Sequence, residues 1–184
     1  MNHPAPKAGV NIRSFLRCMN PYISQFDPEL HTLEYIQQKS SILLSAILSA
    51  SSKAFHPPLH SRLRSHTETL LAQAFISGDK SVEVVQAILV MTYWKEPEET
   101  RTWLLIGYAI RMCLELGWHE LVLQKSDEVD NETENAARER RNIERTWLVI
   151  FVYDRRYVCH RLWREMLVLI NIQSKLPVRK ASYD

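Results

Sequence analysis

Glycine is nearly absent from this chain, with four residues in 184, where average usage of about 7% gives roughly 13. Folds that need glycine at many tight turns and phosphate loops are thereby disfavoured, and helices gain. Cysteine is equally sparse. Cys18, Cys113 and Cys159 are odd in number, widely spaced and without a C-x-x-C, which suits a reducing compartment better than a disulfide framework. The longest apolar stretches, Ile42 to Ala50 and Trp147 to Tyr153, fall far short of the roughly 18 residues of a membrane span. Charge of one sign is also lacking. The 23 Lys+Arg against 21 Asp+Glu leave +2 and a pI near 8.4, below the value of about 9 that marks a dedicated nucleic-acid domain.

The catalytic motifs are missing as well. There is no G-x-S-x-G elbow, no G-x-x-x-x-G-K-[ST] phosphate loop and no G-x-G-x-x-G turn. His119-Glu120 opens like a helical zinc-protease motif, but Leu123 stands where the second histidine belongs. His56, His60 and His66 offer nitrogen ligands, yet Pro57 and Pro58 keep the first pair off one helical face. They read as solvated histidines. Asp127, Glu128, Asp130, Glu132 and Glu134 are interspersed with polar residues and read as a solvated loop, without the adjacent aspartate pair that chelates magnesium on a helix. The expectation is no catalytic, metal-ligating or DNA-contacting residue in this chain, and no enzymatic activity.

What the chain does contain is helical pattern: 46% hydrophobic and 24% charged residues, the balance of one globular domain. Asp27-Pro28-Glu29 reads as a helix start, with a cap acceptor, a pre-set φ and an acid near the positive helix end. That helix runs to about Gln38. Ser40 or Ser41 caps the next, whose apolar residues fall on nearly every face and make it central. His56-Pro57-Pro58 breaks the chain before a third helix that Gly78 stops. Asp79 or Ser81 caps a fourth, with Val82, Val85, Ile88, Leu89 and Thr92 at helical spacing. Pro97 with Glu98 and Glu99 starts a fifth, whose stripes Trp103/Ile106/Ile110/Leu114 and Leu105/Tyr108/Met112/Leu116 require packing on both sides. Gly117 ends it, while Gly107, inside it at a cost near 1 kcal/mol, is expected to allow a close helix contact. A sixth runs from about Asn135 to Arg156, arginine-rich first and apolar from Trp147 to Tyr153, so it passes from surface to core. The first twenty residues carry Lys7, Arg13 and Arg17 and no acid, but Pro4, Pro6 and Gly9 make them a poor amphipathic helix and hence a poor mitochondrial leader.

Arg111 inside the fifth helix and Asp154 at the end of the apolar half of the sixth both call for partners if buried. They pair with each other, or Arg111 takes Glu115 and Asp154 takes Arg155 or solvent. The basic run from Arg138 to Arg164 is interleaved with Glu139, Glu144, Asp154 and Glu165, which gives a salt-bridged solvated face rather than a phosphate-binding one.

The stretch Arg101-Thr-Trp-Leu-Leu-Ile-Gly-Tyr-Ala-Ile-Arg-Met-Cys-Leu-Glu-Leu-Gly-Trp-His119 resembles the signature helix of the regulatory middle region in fungal binuclear zinc-cluster transcription factors. Arg140-Arg-Asn-Ile-Glu-Arg-Thr-Trp-Leu-Val-Ile-Phe-Val-Tyr-Asp-Arg155 resembles that family's arginine-rich helix ending in Asp-Arg. Upstream, Phe26-Asp-Pro and Lys39-Ser-Ser-Ile-Leu-Leu-Ser-Ala-Ile-Leu look like the start of the same region. The resemblance implies an all-α irregular bundle of about six to seven helices, incomplete relative to the family, and marks Trp103, Gly107, Arg111, Gly117, Trp118, His119, Arg145, Trp147, Asp154 and Arg155 as its structural signature.

It further implies a nuclear regulatory domain that restrains activation, responds to metabolites and contacts other transcription-factor subunits or coregulators, or a second copy of itself. A small-molecule effector is implied; a membrane is not. The family's DNA reader is a six-cysteine cluster holding two zinc ions. Three cysteines without C-x-x-C cannot build it, so zinc and specific DNA contact are expected only in a separate zinc-cluster domain. The expected organisation is a disordered segment 1–10, the regulatory domain over 11–156 and an atypical tail over 157–184. That tail lacks the family's glycine-proline turn; a retained intron or shifted reading frame accounts for it. With later helices lost, the fifth and sixth helices are expected to leave apolar surface uncovered. The alternative from another class is a small helical enzyme or metabolite binder with no part in transcription.

Overall fold

A computed structural model describes residues 8–121 and 133–173, with side chains described over 12–121 and 133–156. The described residues form nine helices and no strand: α1 (Ala8–Cys18), α2 (Asn20–Ile23), α3 (Leu33–Lys39), α4 (Ser41–Phe55), α5 (Pro57–Ser77), α6 (Val82–Tyr93), α7 (Thr102–Glu115), α8 (Trp118–Leu121) and α9 (Glu134–Gln173). The all-α irregular bundle expected from the sequence is the fold found. None of the described helices is long and apolar enough to cross a membrane. The acidic stretch Asp127 to Glu132 lies outside the described residues.

The chain divides into two compact units, Met1–Phe151 and Val152–Asp184. In the first, α6 is the innermost element, with every residue from Glu83 to Thr92 buried. Its β-branched residues are compatible with a helix because packing on all sides repays their lost rotamer freedom. Against it lies α4, also buried on most faces as expected, and the Ser45 hydroxyl meets Thr67 Oγ1 of α5 at 2.7 Å. Small residues let α4 and α5 approach closely. The second unit begins within α9, which continues as helix to Gln173; Asp154 and Arg155 belong to it.

Local signals place several boundaries where they were expected. Ser40 accepts the Leu43 amide at 3.2 Å and Ser81 the Val84 amide at 3.3 Å, so each caps its helix. Gly78 and Gly117 have φ of +71° and +72°, the left-handed conformation that suits glycine at a helix end.

Four expectations are corrected. Residues 8–10 are helical rather than disordered: Ala8–Cys18 forms α1, and Ile12, Phe15 and Met19 bury one side of it or of its end. Phe15 meets Phe26 and Trp94 edge-on at 5.7 and 5.3 Å, and that tertiary contact outweighs Gly9 in the first turn. Asp27-Pro28-Glu29 is a turn, and α3 starts only at Leu33, where Thr32 accepts the Tyr35 amide. Pro97 likewise sits in a turn, and α7 begins at Thr102. Finally, α9 does not pass from surface to core: Ala137, Asn142, Thr146 and Ile150 form one buried edge along it, while Leu148 and Phe151 are exposed.

Candidate functional site

The signature helix α7 buries only one of its apolar faces. Ile106, Ala109, Met112 and Cys113 are inside, whereas Trp103 is 43% and Leu104 72% exposed, and Leu114 and Leu116 also face solvent. The expected packing on both sides is therefore corrected, while uncovered apolar surface on the fifth and sixth predicted helices is what the structure has. The second half of α5, where Phe75 and Ile76 are exposed too, meets α7 through Phe75, whose ring lies edge-on to Tyr108 at 5.1 Å. Between them lies a groove of about 350 Å³ lined by Glu68, Leu71, Ala72, Phe75, Ile76, Met91, Arg101, Leu104, Leu105 and Tyr108. Met91 comes from α6, so the floor of the groove is the central helix itself.

A charge network fixes the mouth of this groove. Arg64 Nη2 reaches Glu99 Oε2 at 2.9 Å and Arg64 Nε reaches Glu68 at 3.3 Å; Arg101 Nη2 contacts Glu68 at 2.8 Å and Glu99 at 2.5 Å. The Arg101 guanidinium, aided by the Arg101 amide and Arg64, holds the Glu99 carboxyl down at about 2 despite the burial that opposes ionisation. Two guanidinium groups thus face two carboxylates, and the strand of chain before α7 is pinned to α5. Next to it, Glu96 is held below its ordinary value by Lys53 and then His60, whose Nε2 lies 2.9 Å from it. His60 also bonds the Ser49 carbonyl at 2.9 Å. Among the described residues no three histidine, cysteine or acidic side chains gather to hold a metal.

The second signature, on α9, meets the Phe26-Asp27-Pro28 turn. Arg138 contacts Asp27 at 3.0 Å, and also Glu29 and Glu134. Burial raises the Asp27 carboxyl, but the Glu29 amide and the Arg138 guanidinium outweigh it and leave it below its usual value. Behind the turn His31 is fully buried, with its ring edge-on to Phe26 at 4.9 Å and Tyr35 at 5.7 Å. His31 Nδ1 lies 3.1 Å from the Asp27 amide and 3.0 Å from the Asp27 carbonyl, accepting from the first in one tautomer and donating to the second in the other; its Nε2 has no partner among the described residues. Desolvation pushes this histidine down to about 4, against the pull of Asp27. Further along α9, Gln86 Nε2 of α6 donates to Asn142 Oδ1 at 2.8 Å and Thr146 Oγ1 at 3.1 Å, all three residues being buried. Sequence reading passed over His31 and Gln86, since neither carries a local signal.

The remaining signature residues are structural in different ways. Gly107 makes no close helix contact; a Cβ there would meet only the Arg111 guanidinium, at 3.1 Å, and the Gly107 carbonyl accepts from that group at 3.0 Å. Arg111 is accordingly exposed and folded back on its own helix, and Glu115 pairs with Lys80 instead. Trp118 is buried beyond the Gly117 turn, and His119 Nε2 lies 3.6 Å from Glu120. Arg145 is half-buried near Asp27 and His31, and Trp147 is half-buried against Phe151, with ring centroids 5.9 Å apart. Of the described cysteines, Cys18 is exposed, and Cys113 is buried in α7 with its thiol pushed up to about 12 by desolvation.

Comparison with known proteins agrees with the signatures. Residues 13–182 match the family described as Fungal specific transcription factor domain, a span that takes in most of the second unit. Protein priB of Lentinula edodes is 40% identical over 143 residues, which are 77% of this chain and 22% of that protein. The chain therefore spans under a quarter of the length of this curated relative. No solved structure matches it. With two signature helices in order, an all-α bundle around them and a family match over nearly the whole length, the chain belongs to the fungal specific transcription factor domain family.

Proposed function

We propose that this chain is a regulatory, non-DNA-reading domain of a nuclear fungal transcription factor, and that it controls transcription through contacts made on the α5–α7 face. The observation that carries the reading is the signature helix itself, which packs one side into the core and offers Trp103, Leu104, Leu114 and Leu116 to an outside contact. Exposed apolar surface of this kind on a polar-rimmed domain marks an interaction site. Coregulators, other transcription-factor subunits or a second copy are the partners such a face takes. DNA is reached through a zinc-cluster domain that these cysteines do not supply. Membership of the family points to regulation rather than catalysis.

The test is a tethering assay. The 184-residue chain is fused to an unrelated DNA-binding module upstream of a reporter, in parallel with Leu104→Asp. The wild-type fusion should shift reporter output relative to the module alone, and Leu104→Asp, at an exposed position that leaves the core intact, should abolish the shift. Equal output from the module and both fusions, at equal nuclear levels, overturns the reading.

A further inference from the structure

We propose that the outer stripe of α7 docks a short amphipathic helix of another protein whose apolar seam is interrupted by a carboxylate, and that Arg111 is the residue that reads this carboxylate. The proposal rests on the regulatory reading above and names the chemistry of the partner. Spacing is the first argument. Leu104, Gly107, Arg111 and Leu114 follow one another at intervals of three, four and three residues, which on the helix Thr102–Glu115 makes them one stripe. Ile106, Ala109 and Cys113 are buried on the other side, while Leu104, Arg111 and Leu114 are exposed. The two leucines are ten residues of helix apart, about 15 Å, the span of a partner helix of three turns. Helices that dock on a surface do so with apolar anchors at this kind of spacing.

Charge is the second argument. Arg111 is a cation in the middle of that stripe, and its guanidinium meets the carbonyl of Gly107 at 3.0 Å rather than a carboxylate. Glu115, one turn on, is taken by Lys80. Elsewhere in the domain Arg64, Arg101 and Arg138 each contact carboxylates, so Arg111 differs from them in keeping its charge for an outside group. An acid carried between two apolar residues is the complement of a cation between two exposed leucines. Asp79 limits where that acid can sit. Desolvation and then the Asp79 charge raise the Tyr108 phenol; an acid placed over that ring would be repelled, which leaves Arg111 as its seat. Preorganisation is the third argument. A Cβ on Gly107 would come within 3.1 Å of the Arg111 guanidinium, so the missing side chain is what lets the guanidinium lie against its own helix. Held there by one of its five N–H donors, it has a fork left for a carboxylate and less side-chain freedom to lose on binding.

The experiment selects binders to the full 184-residue chain from a displayed library of three-turn amphipathic helices with randomised seam positions, in parallel against Arg111→Glu. The wild type should enrich aspartate or glutamate at the central seam position between apolar residues, and Arg111→Glu should enrich lysine or arginine there. One enriched acidic peptide, made with glutamate or with glutamine at that position, is then titrated by fluorescence polarisation. Glutamine should weaken binding about tenfold against the wild type, the worth of one charge-assisted contact, and should make no difference against Arg111→Gln. Leu104→Asp should abolish binding of both peptides, with circular-dichroism melts of all variants matching the wild type. Three results overturn the proposal: no acidic preference in the selected helices, the same loss on glutamine exchange against wild type and Arg111→Gln, or undiminished binding by Leu104→Asp. Sedimentation supplies a fourth: a dimer of the chain alone that Leu104→Asp dissolves gives the face to a second copy. In the tethered reporter, a shift that Leu104→Asp abolishes and Arg111→Gln leaves intact refutes the acidic partner and keeps the regulatory role; a reporter that never shifts, with the charge exchange upheld, does the reverse.

Discussion

Acidification should unfold this domain in a pH range where carboxylates are still ionised, and His31 is the cause. The ring is fully buried between Phe26 and Tyr35 and stays neutral in the folded chain, with its protonation displaced from 6.5 to about 4. The unfolded chain binds this proton first, so stability is fully present above pH 6.5 and is lost as pH falls toward 4. That displacement corresponds to about 3 kcal/mol, a large share of the 5–15 kcal/mol typical of a domain. Asp27, Glu96 and Glu99 are shifted downward, so their contributions persist above the ordinary carboxylate range and are lost only below it. The assay is urea unfolding followed by circular dichroism at pH 7.5, 6, 5 and 4.5, on the wild type and on His31→Asn, whose amide oxygen keeps an acceptor for the Asp27 amide. The variant is less stable at neutral pH through lost packing, but its stability should be flat across this window while the wild type declines by most of 3 kcal/mol. Parallel curves for the two proteins would refute the argument and put the titrating group elsewhere.

Gln86→Ala should cost about 2 kcal/mol of unfolding free energy, because Asn142 loses its partner inside the protein; a melting temperature within a degree of wild type would remove the cluster from the account of how α9 is held. Arg111→Ala should change stability by under about 0.5 kcal/mol, as an exposed side chain bonded only to its own helix implies. A loss near 3 kcal/mol would restore the buried ion pair that the sequence suggested. Gly117→Ala should cost about 1 kcal/mol through its φ of +72°, and denaturant midpoints of the two proteins decide it.

Helix identity was legible wherever the signal was local. Ser40, Ser81, Gly78 and Gly117 each act on a backbone group within a few residues; the two glycines were placed singly from sequence, and Ser40 and Ser81 are each one of the two caps it offered, beside Ser41 and Asp79. The errors occur where a distant residue takes over a local signal. Asp27 looks like a cap, but Arg138, far along the chain, recruits it into a turn and leaves capping to Thr32. Gly9 looks like a breaker, but Ile12, Phe15 and Met19 at helical spacing bury enough apolar surface to hold α1. Arg111 was left open between a buried pair and an exposed i,i+4 neighbour, because burial depends on what packs there and nothing on its apolar helix announces it. The groove was invisible for the same reason: its walls come from α5, α6 and α7, and its emptiness is a property of their spacing. The signature helix was recognisable, while the use of its outer face was not.

The clasp between Arg138 and Asp27 also bears on the order in which the domain matures. Its two members are 111 positions apart, so a nascent polypeptide emerging from the ribosome presents the Asp27 turn long before its guanidinium partner has been synthesised. Closure over such a distance is slow relative to helix formation. During that interval α1 to α7 lack the helix whose Asn142 and Thr146 meet Gln86, and the buried amide and imidazole have yet to be sealed from water. Closure of this part of the fold therefore waits for α9, and any chain cut short before α9 should remain a client of chaperones.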